Sequence, residues 1–369
     1  MKFICEKSKI TEAILNTQRA VTSKTSMATL SGILINAVKG NIVLTGYDLE
    51  IAITTKIDAR IIEEGSVVLD ASLLSDIIRR VPTETVEITV DNKSVTTIVS
   101  GNYEANITGI PGIEYPELPT VDNAKSITLS SSLLQSMISQ TIFAVADDDR
   151  KPVYTGIKFE IEDYNLTLIA VDGYRLAIRR EKIEKSQDME FIVPKKALNE
   201  ITKLMGEEEK DINIHIGFRH ILFEIGDILV ISRILEGNFL DYKNSIPQGA
   251  TTEVVVNTRD MINSIDRLSL LIIERLKNPI RCKIYENKVD LKCTTTRGKA
   301  QDSFDCDMTG EDIELGFNYR YFIEALRASD SDKVKIEFNG KINPIKILPM
   351  DGDNFLFLVL PIRLMEESE

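Results

Sequence analysis

Gly32-Ile33-Leu34-Ile35 returns as Gly156-Ile157-Lys158-Phe159 and again, more worn, as Pro279-Ile280-Arg281-Cys282. The spacing is about 124 residues, longer than any small repeat unit and close to the size of a domain. The same offsets carry Ile42 and Leu44 onto Leu166 and Leu168, then onto Val289 and Leu291. This period-two apolar pattern predicts a strand in each copy. Upstream, Ile14, Thr17 and Val21 fall on Ile138, Thr141 and Val145, then on Met261, Ser264 and Leu268, at separations that place each triplet on one helix face. A second helix follows the strands. Asp70 caps a segment carrying Leu74, Ile77, Ile78 and Val81 and stopped by Pro82; Pro194 suits the first turn ahead of Leu198, Ile201 and Met205; the third copy, with a one-residue slip, carries Tyr321, Phe322, Ala325 and Leu326. Hairpins complete each unit: Val86, Ile88 and Val90 alternate before Asp91-Asn92, Val95, Thr97 and Val99 after it, and Asn339-Gly340 marks a comparable turn. The fold class is α+β, three tandem copies of a two-helix, antiparallel-sheet domain, with expected boundaries at 1–120, 121–247 and 248–369.

At 369 residues the chain is too long for one ordinary core, and an apolar fraction of 43% is that of a globular protein. No apolar run approaches the roughly 18 residues of a membrane helix, and Glu6 and Lys7 interrupt the only apolar start, so a cytoplasmic protein is expected. Cys282 and Cys293 fall on strand positions, Cys5 and Cys306 in alternating stretches, and no CxxC exists; all four read as core residues. His215 and His220 flank the Gly217-Phe218-Arg219 turn of a predicted hairpin, without a carboxylate or thiol at ligand spacing. Glycine-rich phosphate loops, HExxH and GxSxG are absent, and Asp147-Asp148-Asp149 and Glu207-Glu208-Glu209 lack the alternate spacing of a calcium loop. No metal, cofactor or catalytic group is expected.

The net charge of −13 argues against broad nucleic-acid binding over the whole surface. The predicted helices depart from that balance. Over 8–24, 70–81, 130–146, 194–205, 258–277 and 316–329 the basic residues are Lys9, Arg19, Lys24, Arg79, Arg80, Lys195, Lys196, Lys203, Arg259, Arg267, Arg275, Lys277, Arg320 and Arg327. Against these fourteen stand eight acids, leaving the helical set at +6 and the remainder at −19. A locally basic helical layer on an acidic protein attracts phosphates on one surface and repels them on every other. Solvated helix faces rich in good helix formers account for the same excess without any ligand.

Val171-Asp172-Gly173-Tyr174-Arg175-Leu176-Ala177, the start Met1-Lys2-Phe3, Gly237-Asn238-Phe239-Leu240-Asp241-Tyr242, Gly316-Phe317-Asn318 and Leu360-Pro361-Ile362-Arg363-Leu364 occur in one order along the chain. Together they resemble the bacterial DNA polymerase III beta subunit, the sliding-clamp family, from the first residue to near the last. The resemblance implies a non-catalytic processivity factor: three domains of one fold forming half of a ring, a homodimer closed head to tail, and helices lining a pore around double-stranded DNA. It also implies as partners the DNA polymerase III catalytic subunit, the clamp-loader complex, and other polymerases and repair proteins carrying clamp-binding motifs. Lys24, Arg79, Arg80, Arg150, Lys195, Lys196 and Lys203 are the expected DNA contacts. Carried over by position, a partner-peptide cleft comprises Tyr154, Val171, Gly173, Tyr174, Arg175, Leu176 and Leu240 on one side, and Asn318, Tyr321, Ile342, Pro344, Val359, Leu360, Pro361, Ile362, Arg363 and Leu364 on the other. The implied dimer interface sets Leu271 and Ile272 against Ala105 and Ile107. Leu240 stands where the family commonly has proline, Asn244 where it often has arginine, and Lys151-Pro152-Val153-Tyr154 departs from the family's aromatic loop.

Two other readings compete. One is a three-domain interaction scaffold that encircles no DNA. The other is an enzyme with a site at a domain junction, where Asp48 and Asp172 occupy matching positions; Thr295 replaces them in the third copy, which favours a tight turn held by the side chain.

Overall fold

The computed structural model describes residues 1–122, 124–148, 150–184, 187–273 and 278–364. Asp149, Arg275 and Lys277, and Glu274 among the eight helical acids, lie outside the described residues. The chain forms two compact units, residues 1–133 with 196–234 and residues 134–195 with 235 onward.

In the first unit, helices α1 (Lys7–Thr17) and α2 (Ala71–Arg80) pack together. An antiparallel sheet runs Arg60–Glu63, Lys2–Glu6, Thr85–Val90, Val95–Ser100, Tyr103–Thr108, so Tyr103–Thr108 is an edge strand. The second sheet has nine strands, beginning with Ile110–Pro111, Gly65–Asp70, Gly32–Val38, Asn41–Tyr47 and Ile51–Asp58. It continues without a break through Ile228–Arg233, His220–Ile225, Asp211–Ile216 and Lys125–Ser130. Phe3, Ile10, Ile14, Ile33, Ile35, Leu44, Leu74 and Ile78 form its core. Each such side chain contributes roughly 1.5–3 kcal/mol on burial.

The second unit repeats the scheme. Its nine-stranded sheet begins with Met189–Pro194, Gly156–Glu162, Asn165–Val171 and Arg175–Lys182, then continues through Phe355–Val359, Ile345–Leu348, Lys333–Phe338, Thr252–Asn257 and Asp307–Gly310. A four-stranded sheet runs Gly298–Asp305, Lys288–Thr295, Ile280–Tyr285, Ile313–Phe317, with Gly298–Asp305 at its edge. Helices α5 (Thr258–Ser269) and α6 (Tyr319–Ala328) pack against each other; α3 (Ser131–Ser139) falls mainly in this unit and α4 (Lys195–Met205) mainly in the first.

Strand register agrees with the repeat read from sequence. Ile35 pairs with Leu44, Phe159 with Leu168 and Cys282 with Leu291, the same antiparallel partnership three times. The connecting turns match as well: Lys39-Gly40, Asp163-Tyr164 and Glu286-Asn287 all have positive φ at both positions, the type I′ geometry that suits the twist of paired strands. Asp48 Oδ1 accepts the amides of Glu50 and Ile51 at 3.0 and 2.9 Å, and Asp172 Oδ1 those of Tyr174 and Arg175 at 2.9 and 3.1 Å. Thr295 Oγ1 accepts the Arg297 amide at 3.1 Å in the third copy, so these residues hold turns.

The helix limits differ from the periodicity. α1 ends at Thr17 and α3 at Ser139, each followed by a 3-10 turn, Gln18–Ala20 and Ile142–Ala144, that leaves Val21 and Val145 extended. Thr17 and Thr141 donate their hydroxyls back to the carbonyls of Ala13 and Met137 at 2.7 and 2.8 Å, the same bond in both copies. α5 stops at Ser269 rather than running to 277. Pro194 closes a strand instead of lying in the first turn of α4. Asp70 caps α2 as expected, accepting from the Leu73 amide at 2.8 Å.

Candidate functional site

Alternation along the paired strands of the second unit builds an apolar trough on one sheet face. Ile169, Val171, Leu176, Ile178, Leu356 and Leu358 point to that face and form one buried cluster with Tyr242; Tyr154, Phe239, Leu240, Ile246 and Leu348 pack on it half-buried. Charged rows bound the trough on both sides. Lys158 lies 3.2 Å from Glu160 and 2.7 Å from Glu190, while Glu337 lies 3.4 Å from Lys335 and 2.5 Å from Lys346. Tyr242 donates its hydroxyl to Glu160 at 2.9 Å and so fixes the 237–246 segment over the sheet. Burial, then the Glu160 carboxylate, push the Tyr242 phenol well above its ordinary range. Burial alone would raise the Glu160 carboxyl, but the Tyr242 hydroxyl and Lys158 ammonium outweigh it and hold it below its usual value. A floor of aliphatic side chains between polar walls suits an extended or turned peptide with apolar anchors.

The cleft residues named from sequence divide between two faces of this sheet. Val171 and Leu176 form the trough floor, with Tyr154 and Leu240 over it. Arg175 points to the opposite face and is 9% exposed. Its Nε donates to Asp172 Oδ2 at 2.9 Å, its Nη1 donates to Glu324, and its guanidinium lies 4.6 Å from the Tyr321 ring centre and 5.6 Å from that of Phe143. This enclosure makes Arg175 a positioning residue that ties the strand to α6. Tyr174 remains 57% exposed and stacks on Tyr321 at 5.9 Å, beside the left-handed Gly173. Asn318 caps α6, accepting from the Arg320 amide at 3.0 Å. Val359 is fully buried, whereas Leu360 and Ile342 are exposed and Pro344 is half-buried. The 360–364 tail is tied back: the Leu360 amide donates to the Tyr174 carbonyl at 2.9 Å and the Ile362 amide to the Gly316 carbonyl at 2.7 Å, leaving Arg363 exposed and Pro361 and Leu364 half-buried. Asn244 donates to Asp241 at 2.7 Å.

Almost every basic residue expected at DNA already has an acidic neighbour. Arg79 and Arg80 reach Asp76 at 3.0 and 2.8 Å, Arg150 reaches Asp148 at 2.7 Å, and Lys195 reaches Asp147 at 2.8 Å. Lys196 bonds Asp48 at 2.5 Å and Glu50 at 2.8 Å; Lys203 bonds Glu200 at 2.7 Å, which Arg19 also reaches at 3.2 Å. Lys24 is exposed beyond α1. Burial opposes the Lys196 charge, yet Asp48 and Glu50 raise its affinity for the proton. Exposed pairs of this kind are worth about 0–1 kcal/mol each, so a phosphate can displace the carboxylate cheaply. Sequence reading passed over a regularity here: Arg79, Lys203 and Arg327 occupy the same repeat position, and all three are more than half exposed. The period of about 124 applied to charged as well as apolar positions would have found it.

Ala105 and Ile107 lie half-buried on the edge strand Tyr103–Thr108. Of the other pair, Leu271 is half-buried and Ile272 8% exposed. The surface side chain is Leu270, 77% exposed. The four cysteines are buried and unpaired, and among the described residues no cluster of three metal-ligating side chains occurs. No helix among them is long and apolar enough to cross a membrane.

Three family models match in succession: the DNA polymerase III beta subunit N-terminal domain over residues 1–119, its central domain over 128–241 and its C-terminal domain over 243–363. The beta sliding clamp of Staphylococcus epidermidis is 34% identical, over 98% of this chain and 99% of that protein. The crystal structure of a putative DNA polymerase III beta subunit from Eubacterium rectale superposes with a TM-score of 0.95 at 35% identity, covering 98% of this chain and 99% of that one. The DNA polymerase sliding clamp from Bacillus subtilis gives a TM-score of 0.96 at 31% identity over 99% and 100%.

Proposed function

Because this chain belongs to the DNA polymerase III beta-subunit family, the sliding clamps that serve that polymerase as non-catalytic processivity factors, we propose that two copies close into a ring around duplex DNA. Three domains per chain, 1–120, 121–247 and 248–369, then make six in the ring. The observation that carries this reading is a strand join made twice and left open a third time. Ile51–Asp58 of the first repeat pairs with Ile228–Arg233 of the second, and Arg175–Lys182 of the second pairs with Phe355–Val359 of the third. By repeat position, Gly298–Asp305 is the counterpart of Ile51–Asp58, and Tyr103–Thr108 that of Ile228–Arg233. Both are edge strands within one chain. Exposed edges invite pairing with another chain, and a head-to-tail contact that closes removes both edges of each copy. Ala105 and Ile107 lie on the joining strand, with Leu271 and Ile272, and the exposed Leu270 beside them, following α5 as candidates for the apolar part of the seam.

Inside the ring, Arg79, Lys203 and Arg327, with Lys196, Lys195, Arg150 and Lys24, attract phosphates through exchangeable contacts. Such contacts carry no sequence information, which sliding requires. Retention comes from topology, so a separate clamp-loader complex opens the ring. The trough over Val171, Leu176 and Leu358 takes clamp-binding motifs of the DNA polymerase III catalytic subunit and of other polymerases and repair proteins, with Leu360, Ile342 and Tyr174 at its rim. All of this takes place in the cytoplasm. Sedimentation equilibrium tests closure: a ring of two copies requires a dimer at micromolar concentration, and a monomer throughout that range refutes it. An interaction scaffold without DNA would give equal processivity with and without charge reversal of Arg79, Lys203 and Arg327.

A further inference from the structure

We propose that the first unit carries a second peptide-docking surface, on the sheet face around Leu229, Ile231, Arg233 and the Phe218-Arg219 hairpin tip, and that it takes an acidic segment of a partner protein bearing an apolar anchor. The inference rests on the peptide reading of the trough above and extends it to the other strand join.

The two faces correspond strand for strand. Ile231 pairs with Ala52 as Leu358 pairs with Leu176, which follows Ala52 by 124 residues. The Arg233 amide donates to the Glu50 carbonyl at 3.2 Å, and in the second unit the Leu360 amide donates to the Tyr174 carbonyl at 2.9 Å. Leu229 and Ile231 thus stand where Leu356 and Leu358 form the trough floor, pointing away from the core in which Val230 is buried. Leu229 is 37% exposed. Tyr115 donates its hydroxyl to the Thr45 carbonyl at 3.4 Å and ties the linking segment over this face, as Tyr242 does over the other.

The rims differ in charge. Arg233 stands where the trough has Leu360, and His220, opposite Arg233, where it has Pro344. Phe218 lies two residues before His220 and is 85% exposed, as Ile342 lies two before Pro344 and is 67% exposed. Arg219 and Arg233 are exposed and make no ion pair among the described residues, whereas most bases on the helices are already paired. The acids in this part of the sheet are engaged elsewhere: Glu50 with Lys196 at 2.8 Å, and Glu224 with His215 at 3.4 Å. The His220 imidazole registers the excess, since burial, then Arg233 and Arg219, hold its proton affinity below the ordinary range. Unpartnered guanidiniums over an aliphatic floor, on a chain of net charge −13, are complementary to carboxylates carried on an apolar peptide. A nucleic acid would match the arginines and leave the leucine and phenylalanine surface without a partner.

Amide exchange of the full chain tests this, with a short peptide that sets leucine and phenylalanine anchors among glutamates, and with its counterpart carrying lysines for the glutamates. The acidic peptide should protect both Ile228–Arg233 and Phe355–Val359, and the basic one Phe355–Val359 alone. Arg219→Glu with Arg233→Glu should weaken the affinity read at Ile228–Arg233 on the order of tenfold and leave that at Phe355–Val359 unchanged. Unaltered exchange of His220–Ile225 without peptide shows that this variant is folded. Acidic-peptide protection confined to Phe355–Val359 overturns this proposal and leaves the trough. Protection of Ile228–Arg233 that survives the double substitution overturns it too, as does equal protection by oligothymidylate, which assigns the arginines to phosphates. Protection of Ile228–Arg233 alone upholds this surface and counts against the trough, and protection of neither segment overturns both.

Discussion

Replacing Arg175 with alanine should destabilise the second unit by about 3–4 kcal/mol at neutral pH. The magnitude follows from what the guanidinium touches. Breaking a buried ion pair from one side costs about 3–5 kcal/mol, because the remaining charge loses both partner and water. Asp172 is the costly remnant: its Oδ2 loses a 2.9 Å bond while its Oδ1 keeps two turn amides. Glu324 is 35% exposed and regains water, which places the ionic part near the lower end of that range. Loss of the guanidinium from the faces of Tyr321 and Phe143 adds about 1 kcal/mol. Arg175→Lys keeps a charge but not the fork, and should lose about half as much. Urea unfolding by far-ultraviolet circular dichroism reads the loss, and amide exchange in Phe355–Val359 localises it, since that strand pairs with the one Arg175 begins. A change below about 1 kcal/mol with unaltered exchange would refute the claim that Arg175 positions α6 and the strand. Peptide affinity should fall as well, through the displaced strand rather than through a lost contact.

Tyr242→Phe should cost about 1.5 kcal/mol at pH 7, the worth of a hydrogen bond to a charged group, and nothing at low pH. Glu160 is held below its ordinary 4.5, so this stability is present in full above that value and disappears as pH falls through the depressed one; urea midpoints at both ends of the range decide it. A gap that persists in acid would assign the loss to packing. Gly46→Ala should cost about 2–3 kcal/mol by thermal unfolding, since a Cβ there meets the carbonyl oxygen of Thr17, where the matching positions carry Ala170 and Cys293 without penalty; a cost under 1 kcal/mol contradicts the close approach. Changing Arg79, Lys203 and Arg327 together to alanine should leave dimerisation intact while lowering the salt slope of DNA association by about 0.9 for each phosphate contact removed. An unchanged slope removes that row from the pore.

The parts of the fold legible in sequence are those where burial imposes a period. Ile35 with Leu44 and Phe159 with Leu168 could be read because a strand with one dry face must alternate, and the copies confirmed one another. Helix ends escaped, because the apolar spacing runs on to Val21 and Val145 through 3-10 turns that bury the same face, which leaves no mark in hydropathy. Two of the three type I′ turns were invisible for a similar reason, since Asp163-Tyr164 and Glu286-Asn287 adopt positive φ without glycine. At the site, resemblance supplied Arg175 as a cleft residue, but its burial depends on Glu324, 149 residues away. At the implied interface, resemblance supplied Leu271 and Ile272; that Leu270 beside them is the 77% exposed side chain follows from where α5 stops, which the sequence does not mark.

Retention on DNA tests the central claim most directly. The dimer, once loaded onto nicked circular DNA and challenged with salt that suppresses phosphate contacts, should stay bound until the circle is linearised, then leave at once by sliding off the ends. Equal dissociation from circular and linear DNA under the same salt would contradict a closed ring.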